Sequence, residues 1–394
     1  MATKKILTRD FVLSFFAQFT FSSVFSILIP TIPIYLSRMG AREAEIGVLV
    51  GALSVSSLVL RPLIGRALLK IPEKKFMIVG ALLYILSSIA YLFAPPFWPL
   101  LVVRVFQGFG LAFFSTASFT LVANMIPETH RGQIISYFYL SINFAFALAP
   151  YFGMLLINQF NFPFNFKILF LVCIGLSLCC LFITLKLKKV SDVPLANLSL
   201  QKQPFLSREA LPPAIIAFLI TITWGALTAF FPLYALSHGV DNPGLFFAAF
   251  AVTLIFVRGL GGKILDVYPR EKIILPCLFN LIISTVILAF STTLTMFILV
   301  AVIWGMGTAF LYPALVAYTI DRAGSSRGPA MGTFTALTDL GAGMGSVIMG
   351  IVLQLTNYPI MFLCLALTGV INLLYFYFAV RKKPQNLHSP AGRG

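Results

Sequence analysis

Twelve apolar runs constrain this chain more than any other feature. They lie at approximately 11–36, 46–68, 76–94, 98–125, 132–157, 167–186, 211–236, 244–265, 273–291, 295–320, 329–355 and 359–380. A helix that crosses the hydrocarbon layer needs about 20 such residues, and each run supplies them. Of the 394 residues 59% are hydrophobic and only 10% charged, with a mean hydropathy of +0.96. Soluble domains average about 25% charged residues, so the chain belongs in a bilayer. The expected fold class is an all-α membrane protein of twelve transmembrane helices. The first run is too long and too polar for a signal-peptide core, so it is expected to remain as the first span.

The runs are organised by an internal repeat. Arg61 to Lys75, RPLIGRALLKIPEKK, recurs as Arg258 to Lys272, RGLGGKILDVYPREK, at an offset of 197 residues. Arg61 falls on Arg258, Gly65 on Gly262, Pro72 on Pro269 and Lys75 on Lys272 without a gap. The same offset sets Gly108 and Gly110 under Gly305 and Gly307. After one residue of slippage, Arg131-Gly132 aligns with Arg327-Gly328. Matches at several spaced points are the mark of a repeat architecture, and parallel halves are one way to build a transporter. The expected division is a six-helix half at 1–186, a linker at 187–210, a second half at 211–380 and a tail at 381–394, giving two pseudo-symmetric six-helix bundles.

Charge placement supplies the orientation. The net charge of +16 would suggest a polyanion partner in a soluble protein, but here the basic residues concentrate in alternate loops and the two ends. Only Arg38, Arg42 and Lys167 fall in the other set of loops. Basic loops stay in the cytoplasm, so both termini are expected there, with no nucleic-acid partner. The five cysteines sit inside apolar runs and read as small packing residues. His130, His238 and His388 lie outside the spans. No phosphate-cradling Gly-rich loop, Ser/His/Asp grouping or cluster of metal ligands is present, so neither an enzyme nor a cofactor or metal is expected.

Charges inside the membrane mark function. Asp339 lies near the middle of its span, where a carboxylate costs about 2.5–3.5 kcal/mol on insertion scales. It reads either as a titrating proton site or as a structural carboxylate bonded to a neighbouring helix. Arg104 lies within span four and needs a partner: Asp339, a substrate anion or backbone carbonyls. Arg61 and Arg258, near the basic ends of their spans, read as snorkelling to the interface or bracing the next loop. The repeat places Asn143 over Asp339, so the two are expected to face each other across the pseudo-twofold axis. Gln18, Ser22, Gln107, Trp224 and Thr228 read as cavity walls or as helix-to-helix hydrogen bonds. Among the aromatics, Phe138, Tyr139, Phe144, Phe146 and Tyr312 are expected near the cavity.

Three local patterns resemble the major facilitator superfamily. The loop after span two of that family carries Gly, then Asp four residues later, then basic residues. The second repeat has Gly262, Asp266, Arg270 and Lys272, while the first has Gly65, Lys70, Lys74 and Lys75 but Leu69 in place of the acid. Arg104, Gln107 and Gly108 resemble the Arg-x-x-Gln-Gly of span four. Ala149, Pro150 and Gly153 resemble the Gly-Pro-x-x-Gly of the twelve-span drug/proton antiporter branch, with Ala for the first Gly. The resemblance implies cytoplasmic latches in the repeated loops, with Gly65, Arg66, Lys75, Arg258, Gly262, Asp266 and Arg270 in gating roles. It implies bends at Pro150 and Gly153 and a part for Arg104 in proton transfer, which would couple with the titrating reading of Asp339. The activity it implies is proton-driven export of a small amphiphilic or drug-like molecule by alternating access. The protein would act as a monomer in lipid in the bacterial plasma membrane, with protons and a small molecule as its partners. A proton symporter importing a sugar, organic acid or metal chelate, and a lipid flippase, are the alternatives.

Overall fold

The computed structural model describes residues 8–68, 70–95, 97–125, 131–188, 207–261, 268–323 and 327–380. Among these, twelve long helices carry nearly all of the chain: α1 (Arg9–Arg38), α2 (Glu43–Ala67), α3 (Glu73–Phe93), α4 (Trp98–Asn124), α5 (Arg131–Gln159) and α6 (Phe164–Leu185). The second six are α7 (Leu211–Ser237), α8 (Gly244–Gly261), α9 (Arg270–Ala289), α10 (Leu294–Ala323), α11 (Arg327–Leu355) and α12 (Tyr358–Tyr375), the last continuing as a π-helical turn, Phe376–Val380. Eleven are long and apolar enough to cross a membrane, and α8 contributes a shorter apolar segment. Helix is the form that meets every backbone donor and acceptor within its own segment, as the bilayer interior requires.

Local chemistry sets the helix ends. Thr8 Oγ1 accepts from the Phe11 N–H at 3.2 Å, and Asn357 Oδ1 accepts from the Ile360 N–H at 3.1 Å. Such caps satisfy donors that the first turn leaves open. The first helix of each half ends in the same way. Gly40 and Gly239 adopt φ of 83° and 74°, and just beyond them the Ala41 and Val240 amides reach back to the Leu36 and Ala235 carbonyls at 3.0 Å each. That left-handed glycine and six-to-one hydrogen bond define a Schellman ending, repeated in both halves.

The packing repeats with a shift of six helices. Within the first half α1 packs on α5 and α6, α2 on α4, and α3 on α4 and α6. Within the second, α7 packs on α11 and α12, α8 on α10, and α9 on α10 and α12. Two matching seams join the halves, α2 with α11 and α5 with α8, while α1 meets α7 on the axis. The architecture is two pseudo-symmetric six-helix bundles.

The seams are closed on the side away from the basic loops. Gly47 and Gly51 of α2 lie against Ser346 and Gly343 of α11 across the seam, while inside the second half Gly345 of α11 lies against Ile222 of α7 and Gly225 of α7 against Ala342. A Cβ at Gly51 would stand 2.6 Å from the Gly343 carbonyl oxygen. Gly244, at the start of α8, meets the Pro150 carbonyl of α5 in the matching place. Without a hydrophobic force between helices in lipid, such small-residue contacts supply the packing.

A side chain at Gly51 is therefore expected to wedge this seam open. Overpacking costs about 1–3 kcal/mol, which corresponds to a roughly 5–150-fold shift between conformers. The Gly51→Val variant should react faster than the parent at Thr228→Cys with a membrane-impermeant maleimide added to the outer face. Equal rates would show that the glycine contact does not hold the seam.

Candidate functional site

A cavity of about 800 Å³ lies between the halves on the basic-loop side. Its walls come from Tyr139, Leu140 and Asn143 near the start of α5, Ile255 and Arg258 near the end of α8, and Phe310, Tyr312 and Val316 of α10. Its size falls within the range of about 300–1,000 Å³ for small-molecule sites. At its axial edge stands an ion pair across the α2–α11 seam, with Arg61 Nε 2.9 Å from Asp339 Oδ2. The contact is ionic and not a well-aligned hydrogen bond, since Asp339 Oδ2 has no hydrogen-bond partner of good angle. Both side chains remain partly exposed, at 31% and 21%. Arg61 also reaches Ser57 Oγ, one turn back, at 3.3 Å.

Helix direction explains the pairing. Side chains lean toward the N-terminus of their own helix. In α2 that end is on the outer side, so Arg61 leans inward toward mid-membrane, whereas Asp339 of the oppositely directed α11 leans toward it. The snorkelling expected of Arg61 is thereby corrected: the nearer surface lies behind the side chain, and a carboxylate lies ahead of it. Arg258, on the parallel-running α8, leans the same way and donates its Nε–H to the Ala309 carbonyl at 3.2 Å. Tyr139 and Tyr312 stand between the two arginines, each within charge range of both.

Arg104 and Asp339 are not brought together. Arg104 is buried and donates to the Leu49 carbonyl at 2.9 Å, the Val50 carbonyl at 3.3 Å and Gln107 Oε1 at 2.9 Å. The Tyr91 hydroxyl donates to the same Gln107 oxygen at 2.7 Å. Here the guanidinium ties α4 to α2 and its charge is spread over three oxygens, which fits the backbone-carbonyl alternative. One edge of Arg104 borders a second, smaller pocket of about 70 Å³, shared with Trp224 and Thr228 on the outer side.

The other expected cavity residues divide in the same manner. Tyr139, Asn143 and Tyr312 line the large cavity. Gln18 and Ser22 do not: Gln18 donates to Ser22 Oγ at 2.9 Å and accepts from Ser118 Oγ at 2.6 Å, which joins α1 to α4 inside the first half. Phe146 packs at a tilt on Trp224 and edge-on with Phe247 and Phe250 between the halves. Phe138 is fully buried against Phe11 and Val122, away from the cavity, and Phe144 is exposed outside the cavity lining. Asn143 lines the large cavity and Asp339, its counterpart in the repeat, is not among the lining residues. Of the gating residues, Gly65 and Arg66 lie on the last turn of α2 and Lys75 on the first of α3. Arg270 stands 3.5 Å from Asp321. Gly153 packs on Ile27 of α1, and Gly262 and Asp266 lie outside the described residues. The five cysteines are unpaired.

Comparison with known proteins accords with this geometry. The family model of the Major Facilitator Superfamily matches residues 14–324 and 214–394, and the chain belongs to that family. It is a multi-pass membrane transporter, not an enzyme. The staphylopine export protein of Staphylococcus aureus is 26% identical over 381 residues, which span 92% of this chain and 94% of that one. The quinolone resistance protein NorA of the same species is 22% identical, spanning 88% and 91%. The solved nucleoside transporter NupG superposes with a TM-score of 0.78 at 14% identity, covering 96% of this chain and all of that one; it shares the fold.

Arg104→Lys is expected to destabilise the first half. An ammonium cannot keep all three fork-like contacts, and the loss of hydrogen bonds to a charged group costs about 1.5–3 kcal/mol. A clear fall in Tm of the detergent-purified protein would show it. An unchanged Tm would assign Arg104 no structural part.

Proposed function

We propose that this transporter is a proton-coupled exporter of a small amphiphilic molecule, with Asp339 as the proton-carrying group. The observation that carries the reading is the Arg61–Asp339 contact, a lone carboxylate at mid-membrane paired across the seam that must open. The basic-loop side is read as the cytoplasm by the positive-inside rule, which places the 800 Å³ cavity toward the cell interior. Two relatives named for export and drug resistance support the outward direction.

The cycle follows from charge. With Asp339 ionised, its pair with Arg61 helps the glycine contacts hold the outer seam shut. Substrate enters from the cytoplasm, competes for the guanidinium side of the pair and frees α2 from α11. The halves then rock, and the outer side opens. Asp339 takes a proton there, which removes its charge and its hold on Arg61 while substrate leaves. After the return step the proton is released inward and the pair forms again, so one proton enters as one substrate molecule departs. The loops around Gly65–Lys75 and Gly262–Lys272 act as latches on the cytoplasmic side. The protein works as a monomer in the plasma membrane, with both termini inside.

Asp339→Asn is expected to abolish coupling and leave the fold intact, since the Arg61 side chain is about a third exposed (31%) and keeps its contact with Ser57. In proteoliposomes with a trapped pH-sensitive dye, substrate should release protons through the wild type and not through the variant. Full proton-driven transport in Asp339→Asn would overturn the assignment. Accumulation of substrate inside vesicles, driven by an inward proton gradient, would favour import instead.

A further inference from the structure

The two seams carry the same construction with one difference. Arg61 of α2 faces Asp339 of α11, and the repeat relates them to Arg258 of α8 and Asn143 of α5. In the second seam the carboxylate has become an amide. Arg258 and Asn143 both line the large cavity. Arg258 spends its Nε–H on the Ala309 carbonyl, and among the described residues no carboxylate pairs with it. With the Arg61–Asp339 pair intact, the cavity wall therefore keeps one uncompensated positive charge.

An unpaired guanidinium at this depth is costly, and nothing in packing demands it, because the symmetric seam shows that a carboxylate fits the geometry. We propose that Arg258 is the recognition site for an anionic group of the substrate, a carboxylate, held by the free fork of the guanidinium. Two parallel N–H groups match the two oxygens of a carboxylate. Asn143, opposite, offers an amide that donates to the same group without neutralising the cation. The rest of the wall is apolar or aromatic: Leu140, Ile255, Phe310 and Val316, with Tyr139 and Tyr312 beside the arginine. The substrate class is thus an amphiphile with a carboxylate head and a hydrophobic or aromatic body. This deepens the reading above and rests on the cavity being the substrate site.

Asn143→Asp supplies the test, because it recreates in the second seam the pair present in the first. A purely structural arginine would be better satisfied by that change, whereas an anion site would be filled by it. Binding of two dyes of like body and opposite charge, dansylglycine and dansylcadaverine, is measured by fluorescence titration of the purified full chain. The wild type should bind dansylglycine at least tenfold more tightly than dansylcadaverine. Asn143→Asp and Arg258→Gln should each weaken dansylglycine at least tenfold, and Arg258→Lys should retain the anionic preference. Monodisperse elution of each variant shows that it is folded. Equal or cation-preferring binding in the wild type, no saturable dansylglycine binding, or unchanged binding in folded Asn143→Asp would each overturn the proposal. Proton movement is read separately in proteoliposomes. A protein that prefers dansylglycine yet moves no protons overturns coupled export alone, and one that couples protons but prefers dansylcadaverine overturns the anion site alone.

Discussion

The close approach of α2 and α11 sets where the two halves meet and where they can part. Two helices can lie backbone to backbone in a bilayer only where side chains are absent or tiny, because lipid offers no hydrophobic drive toward association. Gly47, Gly51 and Gly343 provide that absence on the outer half of the seam. Beyond them larger side chains begin, the helices are held by side chains instead of backbone, and the first such link is Arg61 with Asp339. The position of the charge pair is thus fixed by where the glycines stop. A contact that is tight on the outer side, and ionic at mid-depth, gives the seam a natural place to open.

The pseudo-twofold symmetry gives this seam a partner, and the departures from symmetry carry the chemistry. Helix packing, the left-handed glycine endings and the α2–α11 and α5–α8 seams all repeat. The titratable group does not, since Asp339 has Asn143 as its counterpart. The repeat supplies a scaffold with two equivalent seams, and this one difference leaves an ion pair in the first and, among the described residues, an arginine without a carboxylate partner in the second. Arg104, which the resemblance links to proton transfer, makes its contacts with α2 carbonyls and Gln107, which tie α4 to α2 within the first half.

Much of this is legible in the sequence itself. Apolar length gave the twelve helices, and the 197-residue offset gave the two bundles, because both are one-dimensional properties of a membrane chain. Asp339 stood out for the same reason. The partners did not. Arg61 lies near a helix end, where snorkelling is the ordinary outcome, and only the direction of α2 turns its side chain toward Asp339. That signal was available, since alternate loops fix the direction of every helix and the repeat pairs Arg61 with Arg258 and Asp339 with Asn143. Gln18, Ser22 and Gln107 stand open between cavity wall and helix-to-helix bond, and take the second in the structure, because a polar residue inside a span looks alike in sequence whether it faces water or a neighbouring helix. The distinction lies in rotation about the helix axis, which the weak amphipathicity of these spans does not reveal.

The most direct test of the central claim is the distance between the halves on the outer side as Asp339 changes charge. Spin labels at exposed Ser37, at the end of α1, and exposed Thr356, between α11 and α12, report it in a cysteine-free background by pulsed electron resonance. The account predicts one short, narrow distance at high pH that broadens to longer values as the pH falls and Asp339 loses its charge. The Asp339→Asn variant should give the broad distribution at every pH. A wild-type distance that ignores pH, or an Asp339→Asn distribution identical to the ionised wild type, would contradict the claim that this ion pair governs the seam.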